Sequence, residues 1–170
     1  MTPDLLHAVV GGRSLTEAEA ESAMRSLLAG ESTPILTAAF LTALRMRGES
    51  VTELAGFARA MRAAALPVPI GDEYRPLLDT CGTGGTGMST FNISTVSAFV
   101  VAALGVRIAK HGNRSITSKC GSADILEALG VRTQVDPETV ARAIREVGIG
   151  FLFAPSFHRA THHVQPIRIE

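Results

Sequence analysis

The residues best suited to chemistry lie in a glycine-rich stretch near the middle of the chain. Four glycines occupy the six positions from Gly82 to Gly87, and glycine provides positive φ angles and close backbone approach at an entropic cost. The apolar pair Leu77-Leu78 precedes the stretch, and a longer apolar run from Val96 to Val106 follows it. This order is typical of a strand, a glycine loop and the N-terminus of a buried helix, where backbone N–H groups and the helix dipole bind anions. The sequence therefore predicts a site for a phosphorylated or pyrophosphorylated small molecule.

The pattern Gly82-x-Gly84-x-x-Gly87 also fits the dinucleotide fingerprint, which by itself often marks only a tight turn. A dinucleotide fold places an acidic residue after its second strand. Here the second predicted strand leads instead into the basic segment Lys110-His111-Gly112-Asn113-Arg114. No Gly-Lys-Ser/Thr follows the glycines, so the stretch is not a P-loop. The cations of this segment, Lys110 and Arg114, lie at the position expected for binding a second phosphate.

The segment from Lys110 to Ser118 is the second polar cluster, with two cations, an imidazole, an amide and three hydroxyls in nine residues. A solvated surface loop has a similar composition and remains the alternative. Because the segment follows a predicted parallel strand, we interpret it as a loop that contacts phosphate and ribose. Ser122, shortly after it, is either a helix cap or one more hydroxyl for the same anion.

The chain divides into two parts with different sequence patterns. Capping boxes at Thr16–Glu19 and Ser50–Glu53 predict helices in the N-terminal third. Strand and helix patterns then alternate, which indicates parallel βαβ units whose loops meet at one edge of the sheet. The predicted strands are 77–80, 106–110 and 149–153, and the predicted helices are 94–104, 122–129 and 137–147. The predicted fold is α/β: a small N-terminal helical domain (1–66), a hinge (67–76) and an incomplete parallel-sheet α/β domain (77–170).

Composition excludes several classes of protein. The 170 residues carry no net charge and the pI is near 7.0, so we expect neither nucleic-acid nor membrane partners. The acidic N-terminus lacks the basic region of a signal peptide, which predicts a cytoplasmic protein. Cys81 and Cys120 are too few for a disulfide framework and are interpreted as reduced loop residues, with a reactive thiol as the alternative. The later histidines, His158, His162 and His163, lack a companion ligand pattern and are interpreted as surface residues.

Five motifs in this order and spacing resemble the anthranilate phosphoribosyltransferase family, over the whole chain. They are Gly82-Thr-Gly-Gly, Asn92-Ile-Ser-Thr, Lys110-His-Gly-Asn-Arg, Gly121-Ser-Ala-Asp-Ile-Leu-Glu-Ala-Leu-Gly and Gly150-Phe-Leu-Phe-Ala-Pro-x-x-His. The resemblance implies a helical domain hinged to an α/β domain, and a homodimer formed through the helical domains. It also implies transfer of the phosphoribosyl group from phosphoribosyl diphosphate (PRPP) to anthranilate with release of pyrophosphate, in tryptophan biosynthesis, with Mg²⁺ as cofactor.

The same resemblance implies the site residues. Those for PRPP are Gly82, Gly85, Thr86, Thr90, Asn92, Ile93, Ser94, Thr95, Lys110, His111, Gly112, Asn113, Arg114, Ser115, Ile116, Thr117, Ser118 and Ser122. Gly82, Asn113 and Arg168 would contact anthranilate, and Ser94 would be a magnesium ligand. No general base is implied, because an aromatic amine is already neutral at pH 7.

Two departures from the family accompany the resemblance. Thr86 stands where the family usually has aspartate, and the family's Asp-Glu magnesium pair lies beyond Glu170. The chain therefore resembles the N-terminal half of an enzyme, and we expect little turnover from it alone. Two other functions stay open: a pyrimidine nucleoside phosphorylase, whose loop begins Lys-His-Ser-Thr-Gly-Gly instead, and a non-catalytic fragment that binds a sugar phosphate or dimerises.

Overall fold

A computed structural model describes residues 1–82, 91–115 and 120–169, apart from the side chains of the last two of these. The chain divides into two compact units. One comprises residues 1–65 together with those from His158 onward, and the other comprises residues 66–157. The predicted α/β domain, 77–170, extends further than the second unit, because α9 (Gln165–Ile169) packs against α3 (Pro34–Arg47) of the helical unit.

The helical unit is built from helices whose ends are set by local sequence. Its other helices are α1 (Pro3–Val10), α2 (Glu17–Leu28) and α4 (Val51–Ala64), with a 3₁₀ turn at Arg159–His163. Both predicted capping boxes are present, at Thr16 and at Ser50. Gly30, which follows the C-cap of α2, has a φ of 71°, as a left-handed helix end requires. Helix α1 was not predicted, because the pattern of its eight residues is short.

The helices α2 and α4 make the most extensive contact of the unit, around a core that includes Phe40, Leu44 and Phe57. Gly56 of α4 faces α2 so closely that an added Cβ would lie 2.3 Å from the carbonyl oxygen of Glu17. The absence of a side chain there therefore permits the close approach of the two helices.

The cap of α3 offers a direct test of a local interaction. The hydroxyl of Thr33 accepts a hydrogen bond from the backbone N–H of Leu36 at 3.3 Å. Thr33→Ala is expected to lower the free energy of unfolding by about 1 kcal/mol, since that N–H loses its partner. Urea denaturation measures the change, and Thr33→Ser, which keeps the hydroxyl, should remain close to the wild type. A Thr33→Ser variant as unstable as Thr33→Ala would contradict the capping role.

The second unit contains a parallel sheet flanked by helices. Its elements are a 3₁₀ turn (Asp72–Tyr74), α5 (Ile93–Ala103), β1 (Ile108–Gly112), α6 (Ser122–Ala128), α7 (Pro137–Val147), β2 (Ile149–Phe153) and α8 (Ala154–Phe157). Strands β1 and β2 pair in parallel, with Ile108 opposite Ile149 and Gly112 opposite Phe153. Helix α7 packs against β2, and Val140 and Ile144 form the buried core there together with Phe157. The fold class predicted from the sequence, a helical domain with a parallel α/β domain, is confirmed.

The predicted strand 77–80 is wrong in its extent, because only Leu78 pairs. Its N–H donates to the carbonyl of Arg107 at 2.9 Å, and its own carbonyl accepts from the N–H of Ala109 at 3.0 Å. Next to it, Pro76 has no N–H to donate, and the side chain of Asp79 accepts the N–H of Cys81. The missing N–H of Pro76 and the hydrogen bond to the Asp79 side chain therefore limit the strand pairing to Leu78.

Helix α5 was predicted to be buried, and this is also wrong. Only Thr95 and Ala98 of its residues are buried, whereas Phe99 is 43% and Val100 55% exposed. One side of α5 faces the sheet and Ser122, and no other described residue covers its opposite side. Within the described part of the chain, no helix combines the length and the apolar character needed to cross a bilayer.

Candidate functional site

Three polar contacts hold the start of the glycine-rich stretch against the end of β1 and the start of α5. The carboxylate of Asp79 accepts hydrogen bonds from the backbone N–H of Cys81 at 2.9 Å and of His111 at 3.3 Å. The hydroxyl of Thr80 donates to the carbonyl of Ser94 at 2.7 Å. The residues leading to Gly82 are therefore fixed beside two other predicted site segments.

A second set of contacts joins the start of α5 to the start of α6. The amide nitrogen of Asn92 donates to the carbonyl oxygens of Cys120 at 3.0 Å and Gly121 at 3.3 Å. The hydroxyl of Thr95 lies 3.0 Å from that of Ser122. Asn92 and Thr95 thus bring two helix N-termini together, and backbone N–H groups at such ends are suited to anions.

The loop after β1 is attached to the first turn of α6 by Asp124. Its Oδ2 accepts from the N–H groups of Ser115 at 3.0 Å and Gly121 at 2.7 Å. These two hydrogen bonds hold the pKa of Asp124 below its ordinary value. The carbonyl of Asn113 also accepts from the N–H of Ala123 at 3.1 Å. The backbone of residues 113–115 is thereby pinned against residues 121–123.

The two predicted cations differ in their surroundings. Lys110 is 2% exposed, and burial lowers its pKa although the charges of Asp79 and Cys81 oppose this. A buried ammonium group gains by acquiring an anionic partner. Arg114 instead pairs with Glu127 at 2.6 Å and lies 4.9 Å from the centre of the Phe153 ring. Its guanidinium would have to leave Glu127, or share it, to bind a phosphate.

The structure describes twelve of the eighteen predicted PRPP residues, all of them in the second unit. They lie at the carboxyl end of β1, the start of α5, the start of α6 and residues 81–82: Gly82, Asn92, Ile93, Ser94, Thr95, Lys110, His111, Gly112, Asn113, Arg114, Ser115 and Ser122. Six others, Gly85, Thr86, Thr90, Ile116, Thr117 and Ser118, lie outside the described residues. Arg168 belongs to the helical unit, and its side chain is not described.

Sequence reasoning gave no role to two carboxylates that organise this site. Asp79 follows the predicted strand directly, and Asp124 is the third residue of α6, where a carboxylate commonly reaches back to the helix start. The position of Asp124 in the sequence therefore indicated its role, whereas the position of Asp79 did not. The partner of Asp79 at His111 is 32 residues away in the sequence, and no local pattern identifies it.

A separate cleft of about 380 Å³ lies in the same unit. Thr95 and Lys110 line it, but most of its other lining residues are apolar, including Phe99, Val140 and Phe151. An apolar lining does not match a diphosphate, so the polar cluster rather than this cleft is the candidate site. The later histidines lie in the helical unit, where His162 and His163 are exposed and His158 is half-buried.

Two family models match the chain, and together they cover most of it. The helical bundle domain of a glycosyl transferase family matches residues 3–65, and the a/b domain of a glycosyl transferase family matches residues 74–170. Among curated proteins, the chain is 60% identical over 170 residues to anthranilate phosphoribosyltransferase from Solibacter usitatus. It is 56% identical over 162 residues to the enzyme of the same name from Moorella thermoacetica.

Solved structures give the same likeness. The chain matches anthranilate phosphoribosyltransferase from Thermus thermophilus with a TM-score of 0.90 and 51% identity, over 98% of this chain and 50% of that one. The enzyme from Saccharomyces cerevisiae in complex with PRPP and Mg matches with a TM-score of 0.82 and 29% identity, over 99% and 51%. A variant of the yeast enzyme in complex with 4-fluoroanthranilate matches with a TM-score of 0.76 and 27% identity, over 98% and 49%.

The match with the Solibacter protein spans all 170 residues of this chain but only 50% of that protein. The match with the Moorella protein spans 95% of this chain and 47% of that protein. It therefore spans about half the length of the curated relatives it matches. Because the a/b-domain model alone covers more than half of the chain and the helical-bundle model adds residues 3–65, the chain belongs to this glycosyl transferase family.

Proposed function

We propose that the complete protein transfers the phosphoribosyl group of PRPP to anthranilate and releases pyrophosphate. The observation that carries this proposal is that hydrogen bonds join residues 79–80, the starts of α5 and α6 and the end of β1, in a chain similar to enzymes of this name. The amine nitrogen of anthranilate would form a bond to C1 of the ribose while the bond from C1 to the diphosphate oxygen breaks. The amine proton would pass to solvent as pyrophosphate departs.

The residues described here suit a reaction governed by position and charge. Lys110 is buried beside the side chains of Asp79 and Cys81, and the backbone around Asn113 is fixed by hydrogen bonds. Binding both substrates in one geometry removes much of the entropic barrier, and fixed donors stabilise the charge that develops on the leaving pyrophosphate. No described residue has to act as a strong base in such a displacement.

We further propose Mg²⁺ as the cofactor, since the yeast relative is in complex with PRPP and Mg. Ser94 lies in the first turn of α5 and offers a hydroxyl oxygen, the kind of donor that Mg²⁺ prefers. One hydroxyl is a small part of an octahedral shell, so the diphosphate oxygens of PRPP would supply much of the remainder. Bound there, Mg²⁺ would neutralise charge on the diphosphate.

We also propose a cytoplasmic homodimer that contacts its second copy through the helical unit. Large apolar side chains are strongly exposed on α3 and α4: Ile35 is 84%, Met46 83% and Val51 84% accessible. Contact with a second copy would bury apolar side chains of this kind. Light scattering during size-exclusion chromatography measures the mass, and a monomer at micromolar concentration would contradict this part of the proposal.

The proposed activity is tested by incubating the complete protein with PRPP, anthranilate and Mg²⁺ and following the consumption of fluorescent anthranilate. Phosphoribosylated product and pyrophosphate are expected in equal amounts. Thymidine with phosphate serves as the control reaction, because cleavage of thymidine would indicate a nucleoside phosphorylase instead. Failure to bind PRPP in a calorimetric titration would refute the proposal.

Arg168 provides a test of the acceptor site that the resemblance implies. Arg168→Ala is expected to raise the KM for anthranilate about tenfold, because a hydrogen bond to a charged group is worth at least about 1.5 kcal/mol. The KM for PRPP should stay unchanged. The matched control is Arg142→Ala, which removes an exposed arginine of α7 that is outside the predicted site. A rise in the KM for PRPP instead would reject the role of Arg168.

A further inference from the structure

Three side chains with different donor atoms meet where residues 79–82 pass the end of β1. The ligand atoms of Asp79, Cys81 and His111 all lie within 4.8 Å of one another. The Sγ atom of Cys81 is 3.5 Å from Nδ1 of His111. Among the described residues, this is the only group of three possible metal ligands at such distances. This group of ligands contains no side chain of α2 to α4 and none of the later histidines.

The spacing of these atoms matches a tetrahedral zinc ion. Zinc lies about 2.3 Å from a thiolate sulfur and about 2.0–2.1 Å from an imidazole nitrogen, so the edge between the two ligands is about 3.5 Å long. The observed distance between Sγ and Nδ1 is also 3.5 Å. These two ligands therefore need little rearrangement. A carboxylate oxygen of Asp79 lies within 4.8 Å of both atoms and is the third ligand of the group.

The surroundings of Asp79 favour ligation over simple surface exposure. Its Oδ1 accepts from the N–H groups of Cys81 and His111, and carboxylates that bind metals are commonly oriented by hydrogen bonds of this kind. The Asp79 residue as a whole is exposed. The backbone thus aligns the carboxylate with both of the other ligands.

The donor set selects the class of ion. A thiolate and an imidazole suit zinc, whereas Mg²⁺ prefers oxygen donors alone. The site is therefore different from the proposed Mg²⁺ position at Ser94. The ammonium group of Lys110 is close enough to interact with Asp79 and Cys81 and opposes a cation. The negative charges of the Asp79 carboxylate and of a metal-bound Cys81 thiolate would offset this opposition.

We propose that Asp79, Cys81 and His111 bind one Zn²⁺ ion, with the fourth coordination position open to solvent. Two of the three side chains are exposed and one is half-buried, so an ion reaches the site directly. The inference does not depend on the proposed transferase activity, since it follows from the positions of three ligands.

The test uses the protein as purified, without substrate, and titrates it with Zn²⁺ in a calorimeter and with Co²⁺ in a spectrophotometer. One ion per chain is expected, with a thiolate-to-cobalt charge-transfer band in the near ultraviolet. Cys81→Ser should remove the band and weaken Zn²⁺ binding by about 100-fold or more, a larger effect than that of orienting partners. His111→Gln should weaken binding similarly while the band, if cobalt still binds at high concentration, is retained.

Two variants serve as matched controls. Cys120→Ser removes the other exposed thiol, and His162→Gln removes an exposed histidine of the helical unit. Both should bind Zn²⁺ as the wild type does. Circular dichroism verifies the fold of every variant, and Cys81 is exposed, so its replacement by serine should leave the fold intact. A charge-transfer band that persists in Cys81→Ser would overturn the proposal. So would a Zn²⁺ affinity that falls in Cys120→Ser or His162→Gln but not in Cys81→Ser.

Discussion

Replacement of Glu53 by alanine is expected to lower the free energy of unfolding by about 3 to 5 kcal/mol, the usual cost of removing one member of a buried ion pair. The Glu53 side chain is fully buried. It accepts hydrogen bonds from the backbone N–H groups of Leu15 and Ser50, both at 2.8 Å, and from the guanidinium of Arg47 at 2.6 Å. Alanine would leave these three donors without their acceptor: the N–H of Leu15 is buried, and the other two donors are part-buried. Urea denaturation measures the loss.

The same carboxylate predicts a dependence on pH. Burial by itself raises the pKa of Glu53, but the hydrogen bonds from Leu15, Ser50 and Arg47 outweigh it, so the pKa lies below its ordinary value of 4.5. A group whose pKa is lower in the folded state contributes stability that is complete above its unfolded pKa and is lost as pH falls through the folded value. The wild type should therefore lose this contribution below about pH 4.5, and Glu53→Ala should show a smaller loss over the same range.

The matched control is Glu49→Ala, which removes an exposed carboxylate just before α4. Its free energy of unfolding should stay within about 0.5 kcal/mol of the wild type. Equal destabilisation by the two substitutions would show that the hydrogen bonds of Glu53 do not account for its effect. An acid-induced loss of stability that is unchanged in Glu53→Ala would contradict the pH prediction.

Gly121→Ala is expected to lower kcat/KM for PRPP about 100-fold in the complete protein, because a displacement of about 1 Å in a positioning segment has effects of that size. A Cβ at Gly121 would lie 2.5 Å from the backbone nitrogen of Ser115 and 2.6 Å from the carbonyl oxygen of Asn113. These are backbone atoms, which cannot rotate away. The segment that carries Asn113 and Ser115 must therefore move, or α6 must.

Steady-state kinetics with varied PRPP measure this effect, and thermal unfolding separates it from a general loss of structure. Gly11→Ala is the control, since a Cβ there meets only the carbonyl oxygens of His7 at 3.2 Å and Ala8 at 3.6 Å. Its activity should match the wild type. Near-normal kcat/KM in Gly121→Ala would mean that residues 113–115 do not position the substrate. A free energy of unfolding lowered far beyond the usual 1–3 kcal/mol of overpacking would instead attribute the loss to misfolding.

The sequence determined those features that depend on neighbours within one turn of a helix. Thr16 and Ser50 were predicted as caps, and each accepts the N–H three residues later. The order of strands and helices in the second unit also followed from local patterns, since apolar runs, glycines and prolines act within a few residues of themselves. Motif order indicated the family, and the family models agree with it.

The tertiary structure decided the features that join distant parts of the chain. Glu53 is a cap in the sequence, but its contact with Leu15, 38 residues away, makes it a buried charge at the centre of the helical unit. The link from Asp79 to His111 likewise joins residues that are 32 positions apart into a cluster with Cys81. The pairing of Leu78 with the sheet and the exposure of one side of α5 likewise depend on how distant segments pack. Hydrogen bonds and burial between remote segments depend on how the segments pack, and no pattern of residue types along one segment contains that information.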